Sequence, residues 1–462
     1  MSYTKLRNIA LVVALCHFME MLDATIITTA IPSISNYFHI STSFVSMAIT
    51  AYITALAVCI PISGWMAVRF NVKKIFLAAI FIFTIASLGC ALSSNFLFLI
   101  LMRVLQGIGG AMMFPVGRLI VLQQTEKKDL ILMISFLVWP GLIAPAIAPL
   151  IGGLIVTYAS WHWIFLINVP IGIIAFILSQ HLFDDSKGDP TISLDWKGVI
   201  LISIGAGGLV IASEILSDAA ASWELGIILF TFFFIEILFA LYYLKRISNP
   251  LINLSVLKYK TFRISQTGGS LFWFSVGSAP YLLTLLFQNQ FGWSPTFAGS
   301  IVLFIFFGNV SIKPASTYLL NHFGFKKVFM VSIIVVIISM LISSAFSKET
   351  PIIILIIVTT LSGMGRSLTL TSYNTISFSE LNPEETRAAN TLASTTQNMA
   401  QAVGIAITSI ALHIGNIVFN GGKNPGIEYK FTFILLAFFA FLALLEILLL
   451  PKKLGNSILR KN

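Results

Sequence analysis

The chain has 462 residues, of which 57% are hydrophobic and only 10% charged. A soluble globular chain carries about 25% charged residues, so this composition excludes a soluble fold and points to an all-α polytopic membrane protein. The net charge of +10 would suit nucleic acid, but the basic residues gather in loops on one side of the chain, which makes the charge a matter of membrane topology. Three cysteines without paired spacing give neither a disulfide framework nor a zinc signature. There is no Gly-x-x-x-x-Gly-Lys-Ser/Thr loop for ATP, and nothing in the sequence calls for a cofactor or a metal.

Fourteen apolar segments are long enough to cross a bilayer as helices, at about 9–32, 43–67, 75–94, 95–122, 130–157, 163–182, 197–217, 224–245, 262–289, 297–320, 327–347, 351–378, 386–414 and 430–450. The loops are short and none holds a separate domain. The start imitates a signal peptide, with Lys5 and Arg7 before an apolar run. That run is long, contains two acids and lacks a small-residue cleavage pattern, so it reads as a retained first span.

The two acids of the first span are Glu20 and Asp23, three residues apart and therefore on one helical face. A charge at the bilayer centre costs about 2.5–3.5 kcal/mol on insertion scales. Such a residue marks a functional site, unless it merely faces water near a helix end. Arg103, in the fourth span, cannot shed its proton and needs carboxylate or carbonyl partners. Glu20 and Asp23 are its candidates, because no other acid lies near the middle of the first six spans. Burial and a neighbouring guanidinium act on an acid's proton in opposite senses. Substrate or a conformational change can tip that balance and load or release a proton. The alternative is a static ion pair that locks the first span to the fourth. His17, one turn before Glu20, reads as a packed histidine.

The fourth span continues through Gly107, Gly109, Gly110 and Ala111, and the fifth carries Pro140, Gly141, Pro145, Pro149, Gly152 and Gly153. Small residues allow close helix approach and prolines permit bending. Rocking helices and static tight packing both require this composition. Further on, Glu236 and Arg366 sit near the middle of the eighth and twelfth spans. Glu236 falls in an inserted pair of helices and reads as peripheral; Arg366 is suited either to an anionic substrate or to backbone carbonyls. Lys313 stands about two turns from a span end, within snorkelling reach of water. Glu214 and Glu446 lie close enough to span ends to need no special role.

With the N-terminus in the cytoplasm, 21 of the 28 lysines and arginines fall in the N-terminus, the even-numbered loops and the C-terminus. This asymmetry predicts both termini inside. An internal repeat is also visible. Phe70–Phe76 recurs as Phe323–Phe329, and Leu105–Gly109 is echoed by Leu361–Gly365. Both matches link a span to the one eight further on, as expected for two six-span halves with two extra spans between them. The predicted divisions are 1–182, 183–245 and 246–462.

Leu22–Pro32, reading Leu-Asp-Ala-Thr-Ile-Ile-Thr-Thr-Ala-Ile-Pro, resembles the first-helix signature of the fourteen-helix drug:proton antiporters of the major facilitator superfamily. Leu99–Ala111 is similar to that family's fourth-helix motif, Pro149–Gly153 to the core of its antiporter motif, Trp161–Gly172 to the start of its sixth helix and Leu194–Gly198 to that of its seventh. The resemblance covers nearly the whole chain. It departs from the family in the loop between the second and third spans, where Val68 stands for the usual aspartate and Asn71 for the usual glycine. Ala148 and His162 replace a glycine and an arginine.

The resemblance implies proton-coupled export of hydrophobic or amphipathic compounds across the inner membrane. Its partners are the lipid bilayer, protons and a small-molecule substrate, with a periplasmic adaptor protein left open and no nucleic acid. By position, Asp23 and Arg103 take the proton-coupling role, with Glu20 as helper. Gly64, Arg69, Lys73, Lys74, Gly107, Pro149, Gly152 and Gly153 take gating and packing roles. The substrate cavity is expected between the halves, lined by spans 1, 2, 4 and 5 and by spans 9, 10, 12 and 13. Tyr281, Gln288, Arg366, Gln397, Asn398 and Gln401 are its polar candidates. The alternatives are a dedicated exporter of an endogenous metabolite, such as a siderophore or organic anion, and a non-transporting sensor or partner-binding protein. The lack of a soluble signalling domain speaks against the last.

Overall fold

A computed structural model describes residues 3–126, 129–185, 188–217, 222–247, 250–419 and 426–450. With no water in hydrocarbon, each backbone amide must be satisfied within its own segment, which favours helices throughout. The helices are α1 (Tyr3–Phe38), α2 (Thr42–Arg69), α3 (Val72–Ala91), α4 (Phe96–Gln124), α5 (Leu130–Tyr158), α6 (Trp163–Leu166), α7 (Asn168–Leu182), α8 (Trp196–Ser217), α9 (Trp223–Leu244), α10 (Lys260–Leu285), α11 (Pro295–Ser311), α12 (Lys313–Phe323), α13 (Phe325–Ser343), α14 (Ile352–Ser377), α15 (Pro383–Val418) and α16 (Ile427–Leu448).

Among the described residues, thirteen helical stretches are long and apolar enough to span a membrane. The fourteenth is α5, bent by 45° between Leu132–Ala148 and Leu150–Tyr158. The sixth predicted span is α6 with α7, and the tenth is α11 running into α12. Side-chain caps open several helices. Ser41 accepts from the Phe44 N–H, Asn71 from Lys74 and Asn95 from Phe98, each satisfying an otherwise orphaned donor.

Helices α1–α7 pack chiefly on one another, as do α10–α16, while α8 packs on both α2 and α15. The internal repeat appears here as a shared packing device. Gly107 of α4 lies against the backbone of α2 at Tyr52, and Gly109 against that of α3 at Phe83. In α14, Gly363 meets the backbone of α11 at Ile305, and Gly365 that of α13 at Ser332. A side chain at any of the four would strike main chain, so both halves use two glycines to seat their fourth span between their second and third.

Consecutive spans alternate in direction. One end of the bundle therefore carries the start of α1, the end of α2, the start of α3, the end of α4 and the starts of α5 and α15. At this end the halves close on each other. Leu122, Leu130 and Ile134 belong to the same buried cluster as the second half's core. At the opposite end the first half keeps its own cluster, with Ile26, Ala30, Ile34 and Val45.

The two inserted helices differ. The apolar window of α8 is 61% buried and that of α9 only 17%. Helix α9 presents Ile228, Phe232, Ile235 and Phe239 outward, as a lipid-facing helix does.

Candidate functional site

Asp23 and Arg103 meet as the sequence predicts. Arg103 Nη1 donates to Asp23 Oδ2 at 2.5 Å, with both side chains fully buried. The second carboxylate oxygen accepts from Gln106 Nε2 at 2.8 Å and from Asn168 Nδ2 at 2.7 Å. Gln106 in turn accepts from Arg103 Nη1 at 2.6 Å and donates to Ser87 Oγ at 2.7 Å. Arg103 Nε reaches the Ala48 carbonyl at 3.2 Å, and the guanidinium carbon lies 4.3 Å from the centre of the Tyr52 ring. One carboxylate thus ties α1, α2, α3, α4 and α7 together. Gln106 and Asn168 were assigned no role from sequence. The usable signal was spacing: Gln106 is one turn from Arg103, and Asn168 is a lone amide in the apolar start of a span.

Glu20 does not join this network. It is 5% exposed, and its Oε2 lies 3.7 Å from His17 Nδ1, beyond hydrogen-bond reach. Glu20 Oε2, His17 Nδ1 and the Tyr52 hydroxyl all lack a hydrogen-bond partner. Glu20 and Tyr52 flank the same face of Gly110, so the second acid sits beside the network without entering it. His17 stacks on Phe114 with ring centres 3.8 Å apart.

A second polar cluster, unassigned from sequence, joins the halves at the closed end. Arg118 of α4 donates through Nε to Asn390 Oδ1 at 2.6 Å, and through Nη2 to Ser394 Oγ at 2.7 Å and the Asn390 carbonyl at 3.2 Å. Asn390 donates back to the Pro115 carbonyl at 2.9 Å. Phe114 and Phe378 lie beside the guanidinium, 5.5 and 5.8 Å from it. Gly64 of α2 lies directly against Thr391 of α15, so it too seals this end.

The loop between α2 and α3 is clasped by the segment before α8. Arg69 Nη1 donates to the Ile192 carbonyl at 3.2 Å, and Asn71 Nδ2 to Asp185 at 3.0 Å. Lys5 pairs with Asp184 at 2.7 Å. Asn71, in place of the family's glycine, caps α3. Lys74 is exposed and donates its backbone N–H to that cap, and Lys73 is half-buried. The side chains of Val68 and Pro149 lie outside the described residues. Gly152 packs directly on Thr29 of α1, whereas Gly153 has nothing within 4 Å of where a Cβ would stand. The packing role expected of Gly153 is therefore not realised.

The main cavity, about 1080 Å³, opens toward the end opposite the closed one. Its walls come from α2, α4, α8, α10 and α15, not from the expected set of spans. Among the described residues α1, α5, α11 and α14 give it no wall, because α1 and α5 are packed on each other. Tyr281 lines this cavity. Asn398 and Gln401 line an adjoining one of about 150 Å³, and Gln397 a narrow cleft with Trp273 and Asn374. Gln288 belongs instead to the π-helical turn Leu286–Gln290.

Arg366 takes the carbonyl option. It donates to Val276 O at 3.1 Å, lies 5.8 Å from the Trp273 ring, and does not line the large cavity. Lys313 does not snorkel. It begins α12 and is 6% exposed, and its ammonium donates to Thr371 Oγ1 at 2.5 Å. Glu236 is half-buried on α9, away from the cavities. The other inserted helix, α8, is not peripheral. Ser203 bonds the Val58 carbonyl of α2 at 2.9 Å, Ser213 the Ala402 carbonyl of α15 at 2.9 Å, and Ser217 lies 3.3 Å from Ser409. Glu214 of α8, given no role from sequence, stands on the cavity wall.

Up to fourteen apolar spans among the described residues, with a cavity at one end of the bundle and a seal at the other, define a multi-pass membrane transporter. The chain belongs to the Major Facilitator Superfamily, whose sequence model matches residues 13–285 and 266–458. It is 32% identical over 450 residues to a protein of Haemophilus influenzae named as a transport protein, HsrA, covering 97% of each chain. It is 31% identical over 433 residues to a protein of Enterobacter sp. named for multidrug resistance, MdtD, covering 94% of this chain and 92% of the other. The human organic anion transporter MFSD10 shares the fold at a TM-score of 0.70 and 11% identity, over 96% of this chain and 99% of that one.

Proposed function

We propose that this transporter is a proton-coupled exporter of hydrophobic or amphipathic compounds across the cytoplasmic membrane. The observation that carries this reading is the buried Asp23 carboxylate, held by Arg103, Gln106 and Asn168. Three donors keep the carboxylate satisfied without water. A movement that withdraws Arg103 leaves a buried charge underpaired, which costs several kcal/mol, and uptake of a proton relieves that cost. Asp23 is the exchanging group, Arg103 adjusts its hold on the proton, and Glu20 is a second acid within the same half.

Both termini lie in the cytoplasm, as the lysine and arginine distribution favours. The end sealed by Arg118 is then the cytoplasmic one, and the cavity faces outward. The bodies that rock are 1–182 and 246–462, with 183–245 between them; the packing of α1–α7 and of α10–α16 on themselves supports this division. The relatives named for transport and multidrug resistance favour drug export. Export of an organic anion or siderophore would look to Arg366, whose contacts with Val276 and Trp273 leave it off the cavity wall.

The test is transport in everted vesicles with an imposed pH gradient. Asp23→Asn is expected to insert at normal levels and to lose gradient-driven export. Full gradient-driven transport by that variant refutes the coupling assignment.

A further inference from the structure

Helix α12 begins with a buried lysine that the Asp23 site does not use. Lys313 is 6% exposed and follows Ile312, where α11 breaks into α12. Its nitrogen has one partner, Thr371 Oγ1 of α14 at 2.5 Å. That hydroxyl gives its own hydrogen to the Ser367 carbonyl at 2.8 Å, so it serves Lys313 as an acceptor. As an ammonium, Lys313 has three hydrogens to place, and one is placed. Four residues earlier stands Asn309, fully buried, with neither its amide nitrogen nor its amide oxygen hydrogen-bonded. Its backbone carbonyl takes the Ser367 hydroxyl at 2.8 Å, so both residues lie along the same stretch of α14.

No carboxylate is at hand. Helix α12 packs on α5, α11, α13 and α14, and none of these five helices contains aspartate or glutamate. Their other ionisable groups are basic or phenolic. Arg366 of α14 is held by the Val276 carbonyl, Lys326 of α13 by the carbonyls of Leu448 and Leu450, and His322 of α12 is stacked on Tyr318. Lys327, Tyr158 and Tyr318 are exposed, and Tyr373 packs on Phe329. A lone charge in such a place gives up its hydration for one neutral hydrogen bond, so the uncharged amine is the form that fits. The amine donates the same bond to Thr371. Helix α12 is also a boundary between the halves, because it meets α5 of the first half.

We infer that Lys313 is a proton-binding site of the second half, empty while the end held by Arg118 is sealed and filled when that end opens. This rests on the rocking of the two halves proposed above. Parting α5 from α12 admits water to the break at Ile312. The ammonium then regains hydration, and Asn309 offers an unused acceptor on the neighbouring turn. The proton comes from the water at that end and returns to it before the end closes. It therefore crosses no membrane and adds nothing to the charge carried at Asp23. Its effect falls on the conformational equilibrium. The open form binds this proton and the sealed form does not, so lower pH on that side favours opening. One such proton changes the open-to-sealed ratio by up to about tenfold per pH unit.

The experiment measures the distance between nitroxide labels at Gln124→Cys, the end of α4, and Phe323→Cys, the end of α12. It uses the full-length protein in lipid nanodiscs, from about pH 6 to pH 9, the range over which the linkage is sought. Both positions are exposed. Cys59→Ser removes the thiol that lines the large cavity, while Cys16 and Cys90 are buried. Lys313→Met keeps the bulk without a proton site. It is expected to shift the population toward the sealed distance and to reduce the change in the ratio over that range by at least about tenfold. Lys313→Arg keeps its proton and is expected to shift the population toward the open distance at every pH. Loss of a merely structural contact moves both variants the same way. If Lys313→Arg does not fold, Lys313→Gln takes its place and is expected to follow Lys313→Met. The inference is overturned if wild type shows no pH dependence, if Lys313→Met keeps the full wild-type dependence, or if the Met and Arg variants shift together. Transport separates this from the broader reading. Lost gradient-driven export in Asp23→Asn, with an unchanged pH response in Lys313→Met, sinks this inference alone. Full export by Asp23→Asn, with the expected responses at Lys313, sinks the coupling assignment alone.

Discussion

Replacing Arg118 with methionine keeps most of the side chain's bulk and removes its three donor contacts across the halves, two to Asn390 and one to Ser394. These contacts exist only while the closed end is closed. In the open form the guanidinium is hydrated, so each bond counts at its net worth, about 1.5–3 kcal/mol for a charged donor. Together they bias the closed form by at least about 4 kcal/mol. At about 1.4 kcal/mol per factor of ten, their loss shifts the conformational equilibrium roughly 1000-fold or more. The shift favours the form with the large cavity closed. A native reporter is available, because Cys59 lines that cavity while Cys16 and Cys90 are buried. A membrane-impermeant maleimide added to intact cells should label Cys59 in wild type and do so markedly more slowly in Arg118→Met. With the orientation proposed above, the variant should also export poorly, since it dwells with its sealed end open. Equal labelling rates in wild type and variant would refute the view that Arg118 holds the closed end. So would faster labelling in Arg118→Met.

Further outcomes are expected at other positions. Arg103→Lys should abolish coupled transport at normal expression, because one ammonium cannot serve Asp23, Gln106 and the Ala48 carbonyl together. Lys313→Arg should act differently, lowering Tm by overfilling an enclosed site at a cost of about 1–3 kcal/mol; a fully stable Lys313→Arg protein would contradict its burial. Gly109→Val and Gly365→Val should both collapse the yield of monodisperse protein on size-exclusion chromatography, since each new side chain strikes the backbone of a neighbouring helix. Gly153→Ala should change stability by no more than about 0.5 kcal/mol. Comparable losses in Gly153→Ala and Gly109→Val would show that the close approach of α4 to α3 is not what that glycine serves.

The ion pair was legible because its cost is legible. A guanidinium and a carboxylate in hydrocarbon must find each other, and few partners exist in the first half. The amides that complete the site were not, since Gln106 and Asn168 carry no charge and their value depends on which helices face each other. Lys313 was misread for a geometric reason. Its distance to a span end was counted along one helix, but the helix breaks at Ile312, and the side chain turns into α14. The loop between α2 and α3 was legible only in part. Asn71 departs from the family pattern and caps α3, and two loop residues find partners on the segment before α8, Arg69 the Ile192 carbonyl and Asn71 the Asp185 carboxylate. The role of α8 did carry a signal in its run Gly205-Ala206-Gly207-Gly208. Such a run suits a helix packed on several sides rather than one facing lipid.

The two polar clusters on α4 have a physical relation that neither shows alone. Arg103 and Arg118 are fifteen residues apart on one helix, a rise of about 22 Å. The first cluster lies wholly within one half and the second between halves, so release of Asp23 cannot itself break the seal. It must act through a body that both share. Helix α4 is one such body. A line of side chains also runs toward the seal from Glu20, beside the first cluster but outside it: Glu20 lies 3.7 Å from His17, His17 stacks on Phe114 at 3.8 Å, and Phe114 lies 5.5 Å from the Arg118 guanidinium. Contiguity alone does not establish coupling, but it sets where coupling has to be sought. A charge change at Glu20 would act first on His17, whose ring stacks on Phe114 beside Arg118. A device of this kind needs the acid buried, the aromatic ring between, and the cross-half bonds weak enough to break within one transport cycle. The last condition is met because the guanidinium and its partners take up water as the halves part, so each bond counts only at its net worth, whereas breaking a buried inter-half salt bridge would leave a charge unpaired in the interior.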